Sequence, residues 1–167
     1  MEKCAICGKV IIDNPSKDHY IPKAVYKWSQ LNKNSHQYYV LRHTIDSSLN
    51  IVDTHTTCNF NKLEHFIKVR ELKVTDDKRT QLRLVKNMCQ SYIDRYRALK
   101  NRVLKKQGYK CYSCKAEIDE DNSSIRRIND RKKRTENNAC LVCRDCNRQW
   151  FYIRHKFNKT SLDSSVG

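Results

Sequence analysis

Two stretches decide how this chain folds: NIVDTHTTCN, residues 50–59, and NACLVCRDCN, residues 138–147. Each opens on Asn (Asn50, Asn138), places a metal-ligating side chain at the same later position (His55, Cys143) and closes on Cys-Asn (Cys58-Asn59, Cys146-Asn147). Upstream of each frame stands a paired-cysteine knuckle, Cys4-x2-Cys7 for the first and Cys111-x2-Cys114 for the second. An x2 spacing lets two side chains reach one tetrahedral ion from a tight turn, and a second pair from a distant segment closes the site. The chain therefore reads as two copies of one zinc module. Cys4, Cys7, His55 and Cys58 form one ligand set, and Cys111, Cys114, Cys143 and Cys146 form the other.

Composition narrows the class. With 34 Lys and Arg against 18 Asp and Glu, the chain carries a formal charge of +16, a field that attracts polyanions, above all nucleic acid. A mean hydropathy of −0.85 with no long apolar run excludes a membrane span, and 3 Gly with 2 Pro exclude collagen-like and linker-like chains. The opening MEKCAICGKV is not a secretory leader, so a reducing, cytoplasmic compartment is expected, where nine cysteines favour metal over disulfides. Cys89 and Cys140, left without an x2 partner among apolar neighbours, read as buried structural thiols.

Between the two modules, Leu82, Val85, Met88, Cys89, Tyr92, Tyr96, Leu99, Val103 and Leu104 recur at helical steps, which predicts a helix over 76–107. Thr75, Asp76 and Asp77 suit its start, and Lys105, Lys106 and Gly108 suit its end. A second helix is expected over 58–74, where Leu63, Phe66, Ile67 and Arg70 share a face. The expected organisation is a module at 1–74, a helical connector or dimerisation segment at 75–108, and a second module at 109–167.

Within the first module stand Asp18-His19-Tyr20-Ile21-Pro22, then Asn50, then Cys58-Asn59 with Lys62 three positions on. This order of features over residues 4–62 resembles the HNH endonuclease family. The resemblance implies a ββα-metal fold in which a hairpin carries a catalytic His and the following helix carries the last metal ligand. It implies His19 as general base for a water attacking a phosphodiester, with Asp18 and Asn59 as oxygen ligands of one catalytic Mg²⁺ or Mn²⁺. It further implies Asn50 as the group that keeps His19 aimed, and Lys62 as a phosphate contact. The family more often has Cys where this chain has His55, and His43 and His65 are alternative ligands. The long segment from His19 to Asn50 reads as an insertion. Its stretch 23–44, with Trp28, Tyr38, Tyr39 and Val40, is either a small core or a surface that reads DNA or covers the site.

The second copy departs at the chemistry. Counted from its knuckle, Arg126 stands where His19 would be and Ile125 where Asp18 would be, and there is no His between Cys111 and Trp150. It is expected to be catalytically silent and to bind DNA through Arg126, Arg127, Arg131, Lys132, Lys133, Arg134, Arg144 and Arg148. The fold expected is α+β, two small zinc-stapled ββα-type modules joined by long helices.

The function expected is a metal-dependent DNA endonuclease, site-specific and of restriction or homing type, with two structural Zn²⁺ and one catalytic Mg²⁺ or Mn²⁺. A non-catalytic zinc-dependent DNA-binding protein is the alternative from another class. A structure-selective or nicking nuclease is the variant within the enzyme class, and a ribonuclease or RNA-binding protein is a weaker third reading. Double-stranded DNA is the expected partner, with a possible homodimer, no membrane and no small-molecule cofactor.

Overall fold

The computed structural model describes residues 2–12, 15–62 and 66–150. The chain divides into two compact units, residues 1–97 and 98–167. Each is built on one two-stranded antiparallel sheet with helices, an α+β architecture. No helix among the described residues is long and apolar enough to cross a membrane.

In the first unit, β1 (Ser16–His19) pairs antiparallel with β2 (Ile51–Thr54), Asp18 opposite Val52 and His19 opposite Ile51. Between them lie α1 (Ala24–Lys27) and α2 (His36–Asp46), and α3 (Thr56–Lys62) follows β2 directly. Ser35 caps α2 by accepting from the Tyr38 amide at 3.2 Å. The stretch between the strands contributes a small core: Val25, Tyr26, Trp28, Leu41 and Ile45 are buried, and Tyr26 meets Tyr38 edge to face at 5.9 Å. Tyr39 and Val40 remain exposed.

The helix expected over 58–74 is not continuous. Helix α3 ends at Lys62, residues 66–68 are non-helical, and a single 3₁₀ turn spans Val69–Glu71. Leu63 and His65 lie outside the described residues. Tertiary packing overrides the helical spacing here. Phe66 leaves the helix to pack its ring against Tyr96 at 6.2 Å and under the Arg97 guanidinium at 4.8 Å, while Val69 and Leu72 are buried. Arg79 ties the turn down by donating to the carbonyls of Val69, Arg70 and Val74.

Helix α4 (Asp76–Lys106) starts where Thr75 Oγ1 accepts from the Lys78 amide at 3.3 Å. Two residues past its end Gly108 has φ +59, a left-handed position that suits glycine. Its buried stripe runs Leu82, Val85, Cys89, Ile93, Tyr96, Leu99 and Val103, whereas Met88, expected in it, is exposed. The division between the units falls inside this helix. In the second unit, β3 (Ser123–Arg127) pairs with β4 (Ala139–Cys143), and α5 (Arg144–Arg148) follows directly. Lys100 is buried there, donating to the carbonyls of Glu120 and, at 2.7 Å, Ser123.

The two units repeat one plan. Cys4 N and Lys9 O bond at 2.9 Å in the first knuckle, as Cys111 N and Ala116 O do at 2.8 Å in the second. The bridge Lys3–Val10 matches Lys110–Glu117. Gly8 with φ 77 matches Lys115 with φ 64, so the turn demands a left-handed residue in both copies.

Candidate functional site

Each knuckle and each strand-to-helix junction bring four ligand atoms together. Those of Cys4, Cys7, His55 and Cys58 lie within 4.8 Å of one another, and so do those of Cys111, Cys114, Cys143 and Cys146. A tetrahedral Zn²⁺ with bonds of about 2.0–2.3 Å separates its ligands by roughly 3.5–3.8 Å. Cys7 Sγ is 3.4 Å and Cys58 Sγ 3.9 Å from His55 Nδ1, and Cys114 Sγ is 3.6 Å from Cys143 Sγ. Both clusters can therefore hold a zinc ion. His55 Nε2 faces the Val10 carbonyl at 3.2 Å, which places the proton on Nε2 and leaves the Nδ1 lone pair for the metal. His43 is exposed, with its ring on Tyr39 at 4.0 Å, and is not part of the cluster.

Backbone amides polarise one sulfur in each set. The His55 amide points at Cys4 Sγ from 3.4 Å, and the Cys143 amide at Cys111 Sγ from 3.3 Å. Burial opposes ionisation of both thiols, but these and neighbouring amides outweigh it, holding Cys4 at about 6 and Cys111 at about 7. Burial instead pushes Cys58 up to about 11 and Cys146 to about 12. A bound divalent ion supplies the charge that makes such thiols thiolates. Cys89 and Cys140 are buried outside the clusters, and burial raises them to about 11 and about 12.

Beside the first cluster, α3 packs on the hairpin. Strand alternation turns Asp18 and His19 to opposite faces. Asp18 is buried and pairs with Lys62, whose Nζ lies 2.9 Å from Asp18 Oδ2 and donates to the His19 carbonyl at 2.8 Å. Burial raises the Asp18 carboxyl, against the pull of Lys62. His19 faces Asp46 at the end of α2, with 3.7 Å between Nε2 and Oδ1. Asp46 also holds Lys23 at 3.0 Å and Arg42 at 3.5 Å. Burial, then Lys23, lowers the His19 imidazole, and Asp46 opposes them. Neutral imidazole is the form that accepts a proton.

Two expected roles change, those of Asn50 and Lys62. Asn50 does not touch the imidazole: fully buried, it accepts from the Ile21 amide at 2.9 Å and donates to the carbonyls of Ile21 at 3.1 Å and Ile45 at 2.7 Å. It fixes the backbone two residues beyond His19. Lys62 is a buried ion-pair partner here, not a solvated phosphate contact. Asn59 donates through Nδ2 to Ser16 Oγ at 2.8 Å.

In the second unit, Asn138 repeats the Asn50 clamp, accepting from the Asn129 amide at 2.8 Å and donating to the carbonyls of Asn129 at 2.7 Å and Lys133 at 3.0 Å. Because Asn138 clamps Asn129 as Asn50 clamps Ile21, Arg127 corresponds to His19 and Arg126 to Asp18. The equivalence read from knuckle spacing is thus displaced by one residue, since the second loop is one residue longer. Trp150, buried, stands where the first unit has Lys62. Arg126 and Arg127 are half-buried, and Arg127 Nη1 donates to the Asp130 carbonyl. Arg131, Lys132, Lys133 and Arg148 are exposed, Arg134 and Arg144 half-buried.

Asp46 is the site residue that sequence reasoning missed. It lies inside the presumed insertion, and only its i,i+4 spacing from Arg42 marked it. No family model, curated protein or solved structure matches the chain.

Proposed function

We propose that the chain is a DNA endonuclease of the HNH type, with one catalytic module and one degenerate, DNA-binding module. The observation that carries this reading is the setting of the His19 imidazole at the end of β1, half-buried and facing the Asp46 carboxylate at 3.7 Å. In this reading His19, uncharged at neutral pH, takes a proton from the attacking water, while Asp46 opposite Nε2 orients the ring.

The Asp18 carboxylate and the Asn59 amide oxygen are hard donors of the kind Mg²⁺ and Mn²⁺ take. Lys62 sits on Oδ2 of that carboxylate at 2.9 Å, and an ion would take its other oxygen, Oδ1. Bound there, the ion would neutralise charge as the leaving oxygen departs.

The Asp18–Lys62 pair also favours a second reading, a zinc-dependent DNA-binding protein that does not cut, because it neutralises the carboxylate internally. Incubating zinc-loaded protein with supercoiled and genomic DNA plus Mg²⁺ or Mn²⁺ separates the two. Nicked, linear or discrete products support the nuclease, and discrete genomic fragments support a restriction or homing type. Tight binding with intact DNA supports the binding protein. With one catalytic module, a double-strand cut requires a dimer or two binding events.

A further inference from the structure

On the first unit a cleft of about 1170 Å³ opens beside the β1–β2 hairpin. Lys3 just before the knuckle, Lys17 of β1, and Lys73 and Lys78 around the start of α4 stand on its walls, with Asp53 as the carboxylate among them. Lys17 and Asp53 pair across the strands, so the remaining lysines set the sign of the cleft. Lys78 is anchored on the carbonyls of Ser48 at 2.9 Å and Leu49 at 3.2 Å. Burial holds its ammonium below the usual lysine range, a cost that an anion in the cleft relieves. Ile51 and Val74 give the same cleft an apolar floor.

Register ties this cleft to the candidate catalytic residue. Directly opposed residues of an antiparallel pair share a face, so Lys17, Asp53, Ile51 and His19 all project from one side of the hairpin. Lys17 and His19, two residues apart, are separated by about 7 Å along β1. A cleft of this volume, open to solvent, exceeds what one phosphate or a small cofactor fills.

We propose that the cleft carries the sugar–phosphate backbone of duplex DNA flanking the scissile bond, with Lys3, Lys73 and Lys78 on phosphates and the apolar floor against the sugars. That the bond is cut rests on the nuclease reading; the backbone contact itself does not.

The test uses the full-length, zinc-loaded protein and a fluorescent DNA duplex, with anisotropy titrations over a range of salt. Lys3→Ala/Lys73→Ala is expected to raise Kd at least tenfold at low salt and to flatten the log–log salt slope by about 2, near 0.9 for each phosphate that is no longer neutralised. Lys3→Arg/Lys73→Arg is expected to bind as wild type. Lysine acetylation of the wild type supplies a reading that needs no variant: bound duplex is expected to slow modification of Lys3 and Lys73 at least threefold relative to the free protein. Wild-type protein that cuts or binds duplex, with an unchanged slope in the alanine variant and no protection of either lysine, would overturn the cleft and leave the nuclease reading standing. Wild-type protein that neither binds nor cuts duplex would overturn both.

Discussion

His19 is held by burial and by the Lys23 ammonium below the ordinary imidazole pKa of about 6.5, with Asp46 pulling the other way. A base of lowered pKa stays neutral as pH falls from 7.5 to 6.5, so the acid limb of the cleavage rate is expected below 6.5. Lys23→Ala should move that limb up and Asp46→Asn should move it down. A pH–rate profile of the three proteins checks both directions, and a limb that ignores both substitutions would separate His19 from the rate.

The same scale holds the clearest structural residues. Truncating Asn50 leaves buried backbone groups without partners, at about 1–3 kcal/mol for each group stranded, whereas the groups that Asn138 holds are part-buried and reach water more readily. Asn50→Ala is therefore expected to lower stability by about 3 kcal/mol in urea with zinc in excess, and Asn138→Ala by less. An exposed control, Met88→Ala, should stay within about 0.5 kcal/mol. Sequence showed the two asparagines in one frame but not what they bind, because their partners, Ile21 and Asn129, are fixed only by the closed hairpin.

At the scale of elements, spacing was a sound guide wherever one face alone decides burial. The α4 stripe follows from steps of three and four, yet it passes through Ile93 and leaves out Met88, since two candidate stripes differ by a fraction of a turn and only packing selects one. The stretch after α3 had helical spacing too, but Phe66 finds Tyr96 and Arg97 on α4 by leaving the helix. The knuckle turns offer a sharper test of backbone conformation. Gly8 has φ 77, and an added Cβ would meet Lys73 Cγ at 3.2 Å, so Gly8→Ala should cost about 1 kcal/mol or more. Lys115 already bears the left-handed strain at φ 64. Lys115→Gly relieves about 1–2 kcal/mol of it and loses about 0.5–1 to chain entropy, so that variant should unfold no earlier than wild type in denaturant.

For the whole molecule, two four-ligand clusters in so polar a chain make metal binding part of folding. Elemental analysis is expected to return two Zn²⁺ per chain, and Cys7→Ser or Cys114→Ser one. Removing both with a chelator should abolish cooperative unfolding. The clusters and the repeat were legible in sequence because ligand spacing is a local property. The Asp18–Lys62 pair, the Asp46 carboxylate at His19 and the lysine cleft were not, because each joins residues that only the hairpin and its neighbouring helices bring together. The Arg126-Arg127 pair stands in the register of Asp18-His19, so the second hairpin carries no base at the His19 position, and the proposed chemistry is assigned to the first.

The most direct test of that claim is DNA cleavage by wild-type protein and by His19→Ala at matched zinc content of two per chain, with Mg²⁺ or Mn²⁺ present. The wild type is expected to cut and the variant to lose at least 100-fold in rate, the scale of a general base, with duplex binding retained. Equal cutting by both proteins would contradict a catalytic His19.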